Sequence, residues 1–405
     1  MNNTNNIELF NLLKYESHEK IKENLLNEIY KISKYCVSAI GEGFFGKVYV
    51  PPIGPYFSIK IDDSIFVLPI VIKETKNMGN IFMSEINKDL IIYSDMNLTC
   101  EAIMLFMISK YWYKSANPHL PFLVGLGNCN QQNPNIVTHI ITERHGLLNK
   151  INFNYSNYIK SPFVQLNLPH NDKYTYLATC GDLFEYIVLN YDDKFMCDLP
   201  SGKIYVPAII DYFCIFYLHT SHFLWENLGI TLSDQHPNNI FVHWINENSI
   251  LGKKTIKNLK VIYYELSKNK FLNIPINGLL FKIGDIGTCL MNIQKNVIIV
   301  GDIPNPNNLQ YINIYKQKTK LYIEELLNML NMFPLELLHK TKIFNLLHNE
   351  PYLQKYIPNM GFKNTDHENV PTELDILNND IFKEFHKSSF LDNNENFTAY
   401  IKIDI

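Results

Sequence analysis

The chain of 405 residues is too long for one small core, and with 46% hydrophobic residues it can bury the interior of two lobes or domains. A charged fraction of 19% excludes wholesale disorder, and a formal net charge of -4 excludes the basic field that nonspecific nucleic-acid binding needs. The seven cysteines, at 36, 100, 129, 180, 197, 214 and 289, form no C-x-x-C pair, so they suit buried free thiols in a reducing, cytoplasmic setting better than zinc or disulfides.

Residues 1–34 form a polar, helix-prone extension, and its opening MNNTNNIELF has neither a basic nor an apolar leader region. Strands are predicted at 36–40, 47–50, 65–72, 122–126 and 136–142, where Val, Ile and Phe alternate between Gly and Pro breaks. One helix, NLTCEAIMLFMISKYW (97–112), interrupts them. From about 180 the pattern becomes mainly helical, in GDLFEYIVLNY, VPAIIDYFCIFYLHTSHFLWENL and KTKLYIEELLNMLNMF. The apolar run at 209–225 carries Asp211 and two His and is short for a membrane span, so a buried helix is expected and no span. The stretch 361–397 is polar and is expected to form a surface appendage or a partly ordered tail. The fold class is α+β: a β-rich front with one helix, an α-rich back, and a cleft between two unlike lobes.

Four short motifs carry chemistry. In GEGFFGKVYV (41–50), Gly41, Gly43 and Gly46 let backbone amides approach an anion. A dinucleotide fingerprint would open a helix at its third Gly, but here a strand follows Gly46, so the loop is a hairpin tip with Val48 set to pack on a flat ring. In LPIVIKE (68–74), Lys73 ends an apolar strand. Alone it would be a solvated strand end. Held under the hairpin it could contact phosphates, with Glu101 as its carboxylate partner and Glu85 as the second choice.

In LSDQHPNNIF (232–241), Pro237 keeps the turn non-helical, so Asp234 and Asn239 can face one site. Asp234 could take a proton and Asn239 could hold a divalent metal; an Asx turn is the plainer alternative. In FKIGDIGTC (281–289), Asp285 stands at a strand end beside Gly287, a place suited to Mg²⁺ or to an ordinary β-turn.

Together, and in this order, the motifs resemble the protein-kinase superfamily. GEGFFGKV looks like its G-x-G-x-x-G-x-V loop, PIVIK like V-A-I-K, DQHPNN like D-L-K-P-E-N, and GDIG like D-F-G. NPHLPFLVGL (117–126), IITERHG (140–146) and GDLFEYI (181–187) are similar to the segments around the fourth strand, the hinge and the helix after it. The Asn- and Ile-rich look is similar to divergent Ser/Thr kinases of large DNA viruses, which would place the chain in host cytoplasm or virion. The resemblance covers about 36–335. It implies an extension at 1–34, an N-lobe at 35–144, a mainly helical C-lobe at 145–340 with an insert near 248–277, and a tail at 341–405.

The function so implied is transfer of the ATP γ-phosphate to Ser/Thr hydroxyls of unidentified proteins, with Mg²⁺. Gly41, Gly43, Gly46 and Val48 would cover the nucleotide. Lys73, paired with Glu101, would hold its phosphates, and Asp234 would accept the proton. Asn239 and Asp285 would hold the metal. The backbone near Glu143 and His145 would meet adenine, with Thr142 behind it.

The chain departs from the family at three places. Ser233 replaces the Arg that pairs with a phosphorylated activation loop, which implies activity without that phosphorylation. His236 stands where Ser/Thr kinases have Lys, and no A-P-E follows Gly287. These keep a small-molecule phosphotransferase open, and a pseudokinase that only binds nucleotide is the third alternative.

Overall fold

A computed structural model describes residues 39–42, 46–49, 57–61, 64–68, 70–75, 81–87, 90–95, 99–114, 116–127, 139–145, 177–233, 235–247, 249–252, 254–294, 297–301, 318–349, 372–387 and 400–404. The extension at 1–34, Gly43 and Asp234 lie outside them. The protein is a mixed α and β structure without a barrel.

The front half follows the alternation of its sequence. Strands β1 (Ala39–Glu42) and β2 (Gly46–Tyr49) pair antiparallel, with Gly41 opposite Val48. Strands β3 (Phe57–Ile61) and β4 (Ser64–Leu68) pair antiparallel as a hairpin ahead of Lys73. Next come β5 (Ile70–Thr75), β6 (Ile81–Asn87) and β7 (Leu90–Asp95), then helix α1 (Thr99–Tyr113). Strands β8 (Leu123–Gly127) and β9 (His139–Glu143) complete a five-stranded sheet of order β1-β2-β5-β9-β8. Helix α1 packs beside that sheet because Cys100, Ala102, Met104, Leu105, Ile108 and Trp112 are all buried. Trp112 stacks on Phe122 at a centroid distance of 4.0 Å.

The back half is more mixed than its helical patterns predict. Helix α2 (Cys180–Asn190) starts with a reciprocal cap between Thr179 and Asp182. After β10 (Met196–Leu199) and β11 (Gly202–Tyr205) comes helix α3 (Val206–Leu228). It is apolar around most of its circumference and is accordingly buried along most of its length, ending at Gly229 with φ 62°. Among the described residues no helix is long and apolar enough to cross a membrane. Asp211 and the histidines of α3 face internal partners: Asp211 accepts from the Lys342 and Ile343 amides, His219 bonds the Glu265 carbonyl, and His222 lies 3.3 Å from Glu373.

Strands then dominate: β12 (Ile230–Thr231), β13 (Ile240–Trp244), β14 (Ile250–Leu251), β15 (Lys254–Thr255), β16 (Val261–Ser267), β17 (Lys270–Pro275), β18 (Leu279–Ile283), β19 (Leu290–Gln294) and β20 (Val297–Gly301). The described part of the back half thus carries more strand than the helical reading anticipates. The reason is visible at 261–275, where two runs of alternating apolar residues, VIYYELS and KFLNIP, pair as a hairpin. Helices α4 (Lys318–Leu330), α5 (Leu335–Leu338), α6 (Lys342–Asn349) and α7 (Glu373–Leu377) and strands β21 (His386–Lys387) and β22 (Tyr400–Ile403) follow.

The surface-appendage expectation for the C-terminal stretch is also corrected. Ile376, Leu377, Phe382 and Ile403 are buried, as is the Glu373 side chain. Strand β22 adds in parallel to β16, and β21 pairs with β17. The five described cysteines, 100, 180, 197, 214 and 289, are free and buried, as expected.

Candidate functional site

Three segments far apart in sequence meet at Lys73. Its strand β5 is central in the five-stranded sheet, between β2 and β9. Val48 is its cross-strand neighbour, so the hairpin strand bearing Gly46 lies beside it. Lys73 Nζ donates to Glu101 Oε2 at 2.7 Å and to Asp285 Oδ1 at 3.1 Å. Glu101 lies in the first turn of α1, where the helix dipole favours a carboxylate. It supplies the partner expected for Lys73, and the second choice, Glu85, sits on β6 opposite Ile91.

Electrostatics hold the triad together. Burial works against the Lys73 charge, but Asp285 and Glu101 outweigh it and raise the amine above its ordinary range. Burial pushes the Glu101 carboxyl up to about 7, against the pull of Lys73. Protein mass around the cleft opposes the Asp285 charge too. Lys73 and the Gly287 amide overcome it and hold the carboxyl below the usual range. Asp285 still leaves 45% of its side chain open.

Two loops carry the remaining candidates, and they are zipped together. One runs 233–239 and the other 284–288. Near one end the Gly284 amide donates to the Asn239 carbonyl at 2.8 Å. Only glycine fits there, because a Cβ on Gly284 would stand 2.3 Å from that carbonyl oxygen. At the other end Ser233 Oγ donates to the Thr288 carbonyl, and Thr288 Oγ1 returns a bond of 2.9 Å to the Ser233 carbonyl. Between them Gln235 Nε2 donates to the Asp285 carbonyl at 3.2 Å. Asp234 itself lies outside the described residues, but its neighbours on both sides are held.

Glu325 of α4 anchors the first loop from below. Its Oε1 accepts from the Gln235 amide at 3.0 Å, and Oε2 accepts from the Tyr217 hydroxyl of α3. Sequence reasoning missed Glu325, Gln235 and Thr288. Glu325 did carry a signal: it lies three residues after Tyr322 and four before Met329, on the helix face that is buried.

Gly41 and Gly46 take their expected places on β1 and β2, and Val48 is half-buried. Thr142 stands opposite Val71 on the β5–β9 ladder. The backbone near Glu143 and His145 is the place expected for adenine. The Glu143 amide already donates to the Phe122 carbonyl, and its carboxylate is turned into the protein toward Lys282. His145 is buried, and burial holds its imidazole well below the ordinary value, with Lys282 and His243 adding to the effect.

Among the described residues no group of three or more His, Cys, Asp or Glu is placed to hold a metal ion. Asp285 leaves an open carboxylate on its loop, and Mg²⁺ takes only one or two such groups from a protein when water and phosphate oxygens fill the rest of its shell. Neither a scan against protein-family models nor a search of curated proteins finds a match.

Proposed function

We propose that the protein is a divergent kinase of bilobal, protein kinase-like architecture, moving the γ-phosphate of Mg-ATP to Ser/Thr hydroxyls of proteins. One observation carries this reading: a cation beside a glycine hairpin is gripped between a helix carboxylate and a loop carboxylate at 2.7 and 3.1 Å. Phosphoryl transfer needs a fixed positive group for the phosphates and an acidic group for their metal, both in one cleft. A structural ion pair needs only one partner for Lys73.

In this reading β1 and β2 cover the phosphates and Lys73 holds them, oriented by Glu101. Asp285 and Asn239 would hold Mg²⁺, which when bound neutralises charge on the phosphates. Asp234 takes the proton of the acceptor hydroxyl. Its place between Ser233 and Gln235, both tied to the 285–288 loop, supports that assignment.

The same ties bear on regulation. Ser233 and Thr288 exchange two hydroxyl–carbonyl bonds directly. The loops are thus joined in the unmodified chain, which supports transfer without activation-loop phosphorylation.

The test is transfer of labelled γ-phosphate from Mg-ATP by wild type, Asp234→Ala and Asp285→Ala, with protein and small-molecule acceptors. Label on protein Ser/Thr that both substitutions abolish is the expected result. Label only on small molecules would move the acceptor to a free alcohol. Nucleotide binding with no transfer to any acceptor would make the chain a binding module.

A further inference from the structure

A second ion pair lies away from the Lys73 triad. Glu143 ends β9 and Lys282 lies on β18. Their charged atoms are 2.5 Å apart, and both side chains are almost fully buried. Glu143 Oε1 also accepts from the Phe122 amide at 3.1 Å, so the carboxylate is fixed from two sides. His145 Nε2 is 3.7 Å from the same oxygen, and as a neutral ring it adds no third charge.

The register shows what this pair does. Glu143 faces Ile70 across the β5–β9 ladder, and Ile70 stands three residues before Lys73. Lys282 likewise stands three residues before Asp285. Three residues of extended chain span about 10 Å. Among the described residues two ion pairs therefore tie the five-stranded sheet of β5 and β9 to the β18 segment, Lys73–Asp285 and Glu143–Lys282, beside the bonds of Ile283 and Phe281 to His119 ahead of β8. The polarity alternates: the sheet supplies the cation at one point and the anion at the other. A single tie is a pivot, whereas two ties spaced this way fix an angle. The second is also the harder to open, since separating it would leave two charges unpaired in a dry interior.

We propose that Glu143 and Lys282 are positioning residues for phosphoryl transfer, setting the angle at which the sheet presents Lys73 to Asp285. Their role in transfer rests on the kinase reading; the tie between the two bodies does not.

Removing one partner strands a buried charge and threatens the fold. Replacing both, Glu143→Gln with Lys282→Met, removes both charges, nearly keeps the volume and leaves an oxygen for the Phe122 amide, and such exchanges are often neutral in stability. The full-chain double variant is expected to melt near wild type and to bind Mg-ATP within about threefold of wild type. Its kcat should fall roughly 10- to 100-fold, the cost of a small misplacement of reacting groups. Amide exchange at 284–288, read without turnover, should quicken by about tenfold as the tie is lost.

Wild-type kcat together with wild-type exchange in the double variant overturns the proposal. If the double variant does not fold, Glu143→Gln with Lys282→Gln, which removes both charges and keeps a hydrogen bond between the two side chains, is expected to lower kcat by about tenfold. Unchanged kcat in that variant overturns it equally. A wild-type chain that binds no Mg-ATP and labels no acceptor would overturn the kinase reading instead, and the exchange data would then decide the tie alone.

Discussion

Adding one methyl group at Gly284 tests the heart of the site. The Cβ of Gly284→Ala would lie 2.3 Å from the Asn239 carbonyl oxygen, 3.0 Å from its carbon and 2.9 Å from Phe241 Cε2. The first two neighbours are backbone and cannot rotate away, so the 284–288 loop must shift off the 233–239 loop. Overpacking of this kind costs about 1–3 kcal/mol. The Gly284–Asn239 hydrogen bond contributes roughly a further 1 kcal/mol if it breaks. Alanine recovers about 0.5 kcal/mol by restricting the unfolded chain. The net loss is about 1.5–3.5 kcal/mol, which in a chain of this size, at about 2.1 cal/mol/K per residue, lowers Tm by roughly 2–4 °C. Gly125→Ala is the control, because its Cβ would meet only Ile141 Cδ1 at an ordinary 3.6 Å. Thermal melts of both variants beside wild type check the reasoning. Gly284→Ala melting together with Gly125→Ala and wild type would refute the close approach of the two loops. Mg²⁺-dependent transfer should fall in Gly284→Ala only, since Asn239 and Asp285 are then displaced from each other.

Further expectations concern charge and the tail. Glu101→Gln exchanges a charge-assisted bond to Lys73 for a neutral one, and a loss of about 1.5–3 kcal/mol predicts a roughly 10- to 150-fold fall in kcat/KM for Mg-ATP. With the Glu101 carboxyl up at about 7, acidification from pH 8 to 6 should neutralise it and weaken its hold on Lys73. Wild-type transfer should therefore decline over that window, and Glu101→Gln should lose this component of the pH profile. Asp211 is raised to about 6 by burial, despite the amide bonds from Lys342 and Ile343. The folded chain then holds that proton more tightly than the unfolded chain, so this group's contribution to stability falls as pH rises from the usual carboxylate range through 6. Comparing Tm of wild type and Asp211→Asn between pH 4 and 8 checks this, and parallel curves would contradict it. Deleting 372–405 removes the buried Ile376, Leu377, Phe382 and Ile403, each worth about 1.5–3 kcal/mol. The truncated chain should lose its cooperative melt, and a wild-type melt would restore the appendage view.

Much of the front half was legible because its signals are local. Alternation predicted β2, β8 and β9 to within a few residues, and the apolar spacing of 97–112 predicted α1, but the strand read at 65–72 straddles β4 and β5, and β6 and β7 were not read as strands. Glu101 was identified as the partner of Lys73 because it alone is charged among the apolar residues that open that helix. The same local logic predicted the buried helix at 206–228. The hairpin at 261–275 is a miss, although VIYYELS alternates as a half-buried strand does.

The sequence by itself determined which residue types the site would contain, because a glycine hairpin, a strand lysine and two acid-bearing loops are short-range patterns written within ten residues each. Tertiary structure alone decided how they are held. The Glu325 anchor, the Ser233–Thr288 exchange, the Glu143–Lys282 pair and the parallel docking of β22 on β16 join residues 55 to 139 positions apart. No periodicity links such distant positions. A buried carboxylate reveals only that it needs a partner, and which partner it finds depends on how the sheets and helices close around it.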